Sequence, residues 1–153
     1  MLRGIGIVLG VTLLTLTGYI VHEARGEKNV AQKADNRVFE MRIYYANPGK
    51  MTALEARFRD HTNKLFEKHG MTIIGFWRPL EKQPNPKNDV KENADKLIYI
   101  LAYPSVDAAQ KSWDSFQKDE VWKKAKAASE VDGKLVGKVE SVYMNPTDYS
   151  PIK

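Results

Sequence analysis

The sequence predicts an α+β protein of ferredoxin-like type: a βαββαβ chain with a four-stranded antiparallel sheet and helices on one face. Three observations carry this expectation. Residues 39–45 alternate in polarity as a half-buried strand does, and residues 50–69 repeat apolar side chains every three or four positions as a helix does. A second succession of strand, helix and strand follows from residue 96. Two such units in series form the split βαβ arrangement, in which the helices cover a single face of the sheet.

The elements follow in order. Phe39, Met41, Ile43 and Tyr45 alternate with Glu40, Arg42 and Tyr44, the period-two pattern of a first strand. Asn47-Pro48-Gly49 breaks it. Met51, Leu54, Phe58, His61, Leu65 and His69 then form one stripe of a helix from about Lys50 to His69. Glu55 with Arg59 and Asp60 with Lys64 stand four apart in the favourable acid-first order, and Gly70 occupies the capping position. Met71 to Arg78 reads as a second strand stopped by Pro79, and residues 80–95 as a long polar hairpin loop with two prolines.

Lys96 to Tyr103 is apolar on both faces, the mark of a central strand. Ser105 caps a helix carrying Val106, Ala109, Trp113 and Phe116, and Asp119 starts a further one with Val121, Trp122 and Ala125. Lys138 to Met144 alternates as a last strand before a short tail. With helices on one face, the other stays bare. Strand one is expected to turn Glu40, Arg42 and Tyr44 to that uncovered side, and a second copy of the chain would cover it.

Composition narrows the chemistry. The 153 residues include no cysteine, which excludes disulfides, thiolate zinc sites and cysteine nucleophiles. The net charge of +5, from 24 basic and 19 acidic residues, is interleaved along the chain, so no basic stripe suggests nucleic acid. His22, His61 and His69 form no metal-ligand pattern, and neither a phosphate-binding glycine loop nor a GxSxG elbow occurs in the folded part.

Residues 1–26 read as an export leader. Arg3 precedes an uncharged apolar run from Ile5 to Val21, and Ala24-Arg25-Gly26 places small residues around a cleavage point after Gly26. A retained membrane anchor is the competing reading, since the run spans about 26 Å against a hydrocarbon core of about 30 Å. Either reading places the domain outside the cytoplasm, in the periplasm or cell envelope. Residues 27–36 form a polar linker and residues 37–151 the folded domain.

Four segments resemble the NIPSNAP family: FEMRIYYANPGK, EKHGMTIIGFWRP, LIYILAYPSVDAAQKSWDSFQKDEVW and MNPTDYSP, which together span residues 38–151. The resemblance implies a dimeric α/β barrel, two ferredoxin-like sheets packed face to face. Related dimeric barrels include antibiotic-biosynthesis monooxygenases and haem-degrading enzymes, which bind ligand between helices and sheet. Eukaryotic NIPSNAP proteins are mitochondrial and tied to trafficking and mitophagy. The family thus implies no single activity, and the export leader suggests a bacterial envelope member.

His61 is the candidate catalytic residue: an imidazole on the apolar stripe, expected to face the sheet, suits a base or a haem ligand, or a histidine hydrogen-bonded at the edge of the core. Arg57 is either an anion contact at the pocket mouth or a solvated side chain. Tyr45, Trp77, Tyr99 and Trp113, with Trp122, either line an aromatic ligand pocket or form plain core. His69 is expected to cap the first helix, and Glu40 and Arg42 to meet the partner across a twofold axis. The expected function is a homodimer binding a small apolar or aromatic ligand between the first helix and the sheet. A monooxygenase-like or haem-binding enzyme and a protein-interaction module are the alternatives. No cofactor other than haem is suggested.

Overall fold

The computed structural model describes residues 37–82, 84–85 and 95–153. The leader and linker, and most of the loop expected at 80–95, lie outside the described residues. Among the described residues no helix is long and apolar enough to cross a membrane.

The first strand, β1, runs Val38–Ala46. A helical segment follows in three parts: α1 over Met51–Arg57, a π-helical turn over Phe58–Thr62 and α2 over Asn63–Lys68. Strands β2 (Thr72–Trp77) and β3 (Lys96–Tyr103) come next, then helices α3 (Val106–Lys118) and α4 (Glu120–Ser129), and last β4 over Val136–Met144. All pairings are antiparallel in the order β2-β3-β1-β4. The expected ferredoxin-like sheet is the observed one.

Local chemistry explains the boundaries. The first helical segment ends in a Schellman cap: Gly70, at φ 77°, donates its N–H to the Glu67 carbonyl, and Met71 donates to that of Phe66. Only glycine enters this left-handed region without steric strain. Ser105 caps α3 by accepting from the Ala108 N–H, and Asp119 caps α4 by accepting from those of Val121 and Trp122. Asp119 lies in the extended region, so the two helices remain separate.

The stripe on the first helix departs from expectation at one position. At about 100° per residue, position 61 stands about 60° from Phe58 and position 62 about 40° on the other side, so the two compete for the core. The π turn, in which the Asn63 N–H reaches back to the Phe58 carbonyl, resolves the competition in favour of Thr62. Thr62 is buried and its hydroxyl donates to the Arg57 carbonyl, whereas His61 is exposed. Leu65 and Phe66 complete the buried side.

Tyr99 of β3 is fully buried at the centre of an aromatic core, with Phe58, Phe66, Phe76 and Tyr44 packed around its ring at centroid distances of 5.2 to 5.9 Å. Phe66 also packs against Trp113 and Phe116 of α3. Directly paired residues share a face, so Glu40, Arg42 and Tyr44 lie on this helix-covered side with Leu101, Tyr99 and Leu97. This reverses the expectation for β1. The uncovered face instead carries Phe39, Met41, Ile43 and Tyr45, flanked by Ile98, Ile100 and Ala102 of β3 and by Val142 and Met144 of β4.

The register shift between Ile73 and Gly75 lets β2 turn both Ile73 and Phe76 to the core. Trp77, paired with Ile98 on the other side, folds its indole back over Gly75, where a Cβ would stand 2.8 Å from the ring. Glycine at position 75 therefore permits the close approach.

Candidate functional site

Glu40 is buried near the start of β1, and both of its carboxylate oxygens are saturated. Oε1 accepts from Arg42 and from the Ser141 hydroxyl of β4, each at 2.6 Å. Oε2 accepts from the Tyr103 hydroxyl at 2.8 Å and the Trp113 indole at 2.7 Å. Burial alone would raise the carboxyl pKa, but the Ser141 and Trp113 hydrogen bonds and the Arg42 guanidinium outweigh it and hold the group below its ordinary value. Burial and the adjoining carboxylate push the Tyr103 phenol well up, which keeps it a donor.

Such a carboxylate is an ionised tie between layers rather than a general base, because its lone pairs are already engaged. Glu40 and Arg42 were expected at a subunit interface; they stand instead under α3, with the Arg42 guanidinium 4.2 Å from the centre of the Trp113 ring. The physical reason is that four donors from four elements, β1, β3, α3 and β4, offset the desolvation of the charge.

A cleft of about 300 Å³ opens where Arg57, α4 and β4 meet. Tyr44, Trp122, Val136 and Val139 supply aromatic and apolar walls, and Arg57, Lys126, Lys134, Lys138 and Glu130 supply charge. Arg57 is buried, stacks over Trp122 at 5.2 Å, and donates through Nη1 to Glu130 at 3.0 Å and to the Ser129 hydroxyl at 3.3 Å. Its Nε–H is buried without a partner, an arrangement that costs about 1–3 kcal/mol. A second cavity of about 300 Å³ lies on the opposite sheet face, between Phe39, Ile74, Ile100 and Met144 and the tail residues Pro146 and Ile152. Among the described residues no charged side chain lines it.

The sequence candidates disperse. Arg57 lines the cleft. His61 does not face the sheet, because the π turn sets Thr62 inward in its place. Tyr45 lies on the uncovered sheet face, with the Lys96 and Lys138 ammonium groups over its ring at 5.3 and 5.0 Å. Trp77 is 48% exposed at the end of β2. Tyr99 is sealed in the core, and Trp113 is held by Glu40. Tyr44, Trp122 and Glu130 are the cleft residues that join Arg57, and only Trp122 was visible in the sequence as a pocket candidate. Glu130 carried no local signal, since 73 residues separate it from Arg57.

Neither described imidazole fits a haem axial ligand in this cleft. His61 is exposed, and both nitrogens of His69 are engaged: Nδ1 lies 2.7 Å from the Ser115 hydroxyl and Nε2 2.8 Å from Asp119 Oδ2. The Lys68 ammonium shares that oxygen at 2.6 Å. These bonds to Lys68 and His69, with the backbone N–H groups of Val121 and Trp122, hold the Asp119 carboxyl far below the ordinary carboxylate range. His69, expected as a helix cap, follows the last turn of α2 and ties it to the α3–α4 junction.

The NIPSNAP family profile matches residues 39–151. Among solved structures, a NIPSNAP family protein of unknown function from Agrobacterium tumefaciens is similar at 18% identity and a TM-score of 0.62, covering 78% of this chain and 96% of its own. A second from Agrobacterium tumefaciens is 21% identical with a TM-score of 0.61, covering 76% and 99%. A NIPSNAP-like domain protein from Burkholderia xenovorans is 13% identical with a TM-score of 0.60, covering 76% and 90%. At these identities the likeness concerns the fold. No curated protein matches the chain significantly.

Proposed function

The chain belongs to the NIPSNAP family, and on that footing we propose that it is an exported homodimer that binds a small aromatic organic ligand in the cleft between Arg57, α4 and β4. The observation that carries the reading is the cleft itself: about 300 Å³ of space at the boundary between helices and sheet, walled by Tyr44, Trp122 and Val139, with a buried guanidinium at its side. Ligand sites combine apolar walls with a few polar groups in this way.

The uncovered sheet face supports the dimer. Met41, Ile43, Ile98, Ile100 and Val142 adjoin one another as an apolar patch on this face, the kind of surface that marks an interaction site. A second copy related by a twofold axis would cover it with an identical surface. Export rests on the apolar run Ile5 to Val21 and the small residues at Ala24 and Gly26. N-terminal sequencing of the chain from an envelope fraction tests it. A start after Gly26 means cleavage, an intact Met1 in that fraction means a retained anchor, and recovery from the cytoplasm overturns export.

The ligand reading is tested by ligand-observed NMR on the full chain, with phenylacetate and phenylacetamide as probes. Saturation transfer to a probe, abolished by Val139→Trp, is the expected result. Binding unchanged by Val139→Trp would place the ligand elsewhere, and failure of both probes would overturn the reading.

A further inference from the structure

Resting on that ligand cleft, we infer that its natural occupant is a small organic acid whose carboxylate is received by Arg57, and that Glu130 is an internal stand-in occupying the guanidinium until the ligand arrives.

The argument begins with the unused capacity of Arg57. A guanidinium presents five N–H groups in a planar fork that matches a carboxylate through two parallel bonds. Here Nη1 alone meets Glu130, through one oxygen, and its neighbour Nη2 at the end of the fork makes no hydrogen bond among the described residues, while the buried Nε–H lies on the far edge, out of reach of the same carboxylate. The fork is fixed in place by the Trp122 ring beneath it and by burial in the first helical segment. A carboxylate arriving from the cleft would complete the two-point contact that Glu130 leaves half made.

Glu130 is an unfavourable permanent partner on independent grounds. It is the C-cap residue of α4, where the helix presents its negative end, and a carboxylate there is disfavoured. Its side chain also remains partly open to solvent, unlike that of Arg57. A residue held against its local electrostatics, on a half-used fork, is suited to displacement.

The charge of the surrounding wall points the same way. Lys126 and Lys134 border the cleft with no carboxylate at their ammonium groups among the described residues, whereas the Lys138 ammonium is paired with Glu140. Among the described lining residues Glu130 is the single acid. A concave surface with this excess of positive charge concentrates anions. Tyr44 and Val139 leave room beside it for an apolar body.

Isothermal titration calorimetry on the full chain decides the matter with phenylacetate and phenylacetamide, which share a shape and differ in charge. Phenylacetate is expected to bind about tenfold more tightly than the amide. Glu130→Gln, which removes the internal competitor, should strengthen phenylacetate binding by about three- to tenfold and leave the amide unchanged. Arg57→Gln should erase the preference for the acid. Because Arg57 is buried and its variant could fail to fold, the Glu130→Gln arm stands by itself. Equal affinity for acid and amide, or a Glu130→Gln variant with unaltered acid affinity, overturns the organic-acid assignment and leaves the cleft reading standing. Binding of neither compound overturns both.

Discussion

Trp113 of α3 donates its indole N–H to the buried carboxylate of Glu40 on β1 at 2.7 Å, so one charge-assisted hydrogen bond ties the helical layer to the middle of the sheet. Together with the bonds from Arg42, Tyr103 and Ser141 it makes Glu40 the hub of the polar interior. Removing the carboxylate strands four donors at once.

Glu40→Ala is therefore expected to lower stability by about 3–5 kcal/mol, and Trp113→Phe by about 1.5–3 kcal/mol, measured by urea denaturation. The pH dependence follows from the depressed pKa of Glu40. The carboxyl titrates at about 4.5 when unfolded and lower when folded. Its stabilisation is thus present above pH 4.5 and lost as pH falls through the folded value. Glu40→Gln should flatten that acid limb of the stability curve. A limb as steep as the wild type's would show that other groups carry it.

Asp119 performs two tasks with two oxygens. Oδ1 caps α4 by accepting from Val121 and Trp122, while Oδ2 holds Lys68 and His69. Asp119→Asn keeps an acceptor for the cap and should be less destabilising than Asp119→Ala. The ordinary carboxyl value is 3.8 and the folded value lies below it, so this contribution also disappears as pH falls. Thermal melts at several pH values from about 5 downward, through and below the ordinary value of 3.8, separate the two tasks: the Asn variant should lose the acid sensitivity of the pair and retain helix α4.

Thr62→Val keeps the shape of a buried side chain and removes its hydrogen bond to the Arg57 carbonyl, which should lower stability by about 1 kcal/mol. His61→Ala, on the exposed side of the same π turn, should change stability by less than about 0.5 kcal/mol. The reverse order in urea denaturation would mean that position 61, not 62, faces the core.

Met41→Arg places a charge in the centre of the uncovered sheet face, beside Ile100 and Val142. Light scattering is expected to report a dimer for the wild type, as the proposed twofold contact requires, and a folded monomer for Met41→Arg. A dimer that survives Met41→Arg would move the interface off this face.

How much of this was legible depended on the range of the interaction. Lys96 to Tyr103 matches β3 at both ends, and the Ser105 and Asp119 caps start helices where the sequence placed them, because strand alternation and capping are local. The π turn was less legible. His61 and Thr62 stand almost equally close to the apolar stripe, and the choice depends on what the sheet presents to each. The face of β1 was misread for a related reason: both of its faces carry large side chains, and alternation alone states only that they differ.

The order of elements, the helix caps and the likeness to NIPSNAP domains were determined by the sequence itself, because each depends on neighbouring residues or on the succession of segments. Tertiary structure decided which side of β1 is covered, which of two adjacent residues enters the core, and that Arg57 meets Glu130. These outcomes are set by partners that chain separation hides. Glu40 is tolerable inside because donors converge on it from β3, α3 and β4 as well as from its own strand, and no stretch of sequence carries that convergence.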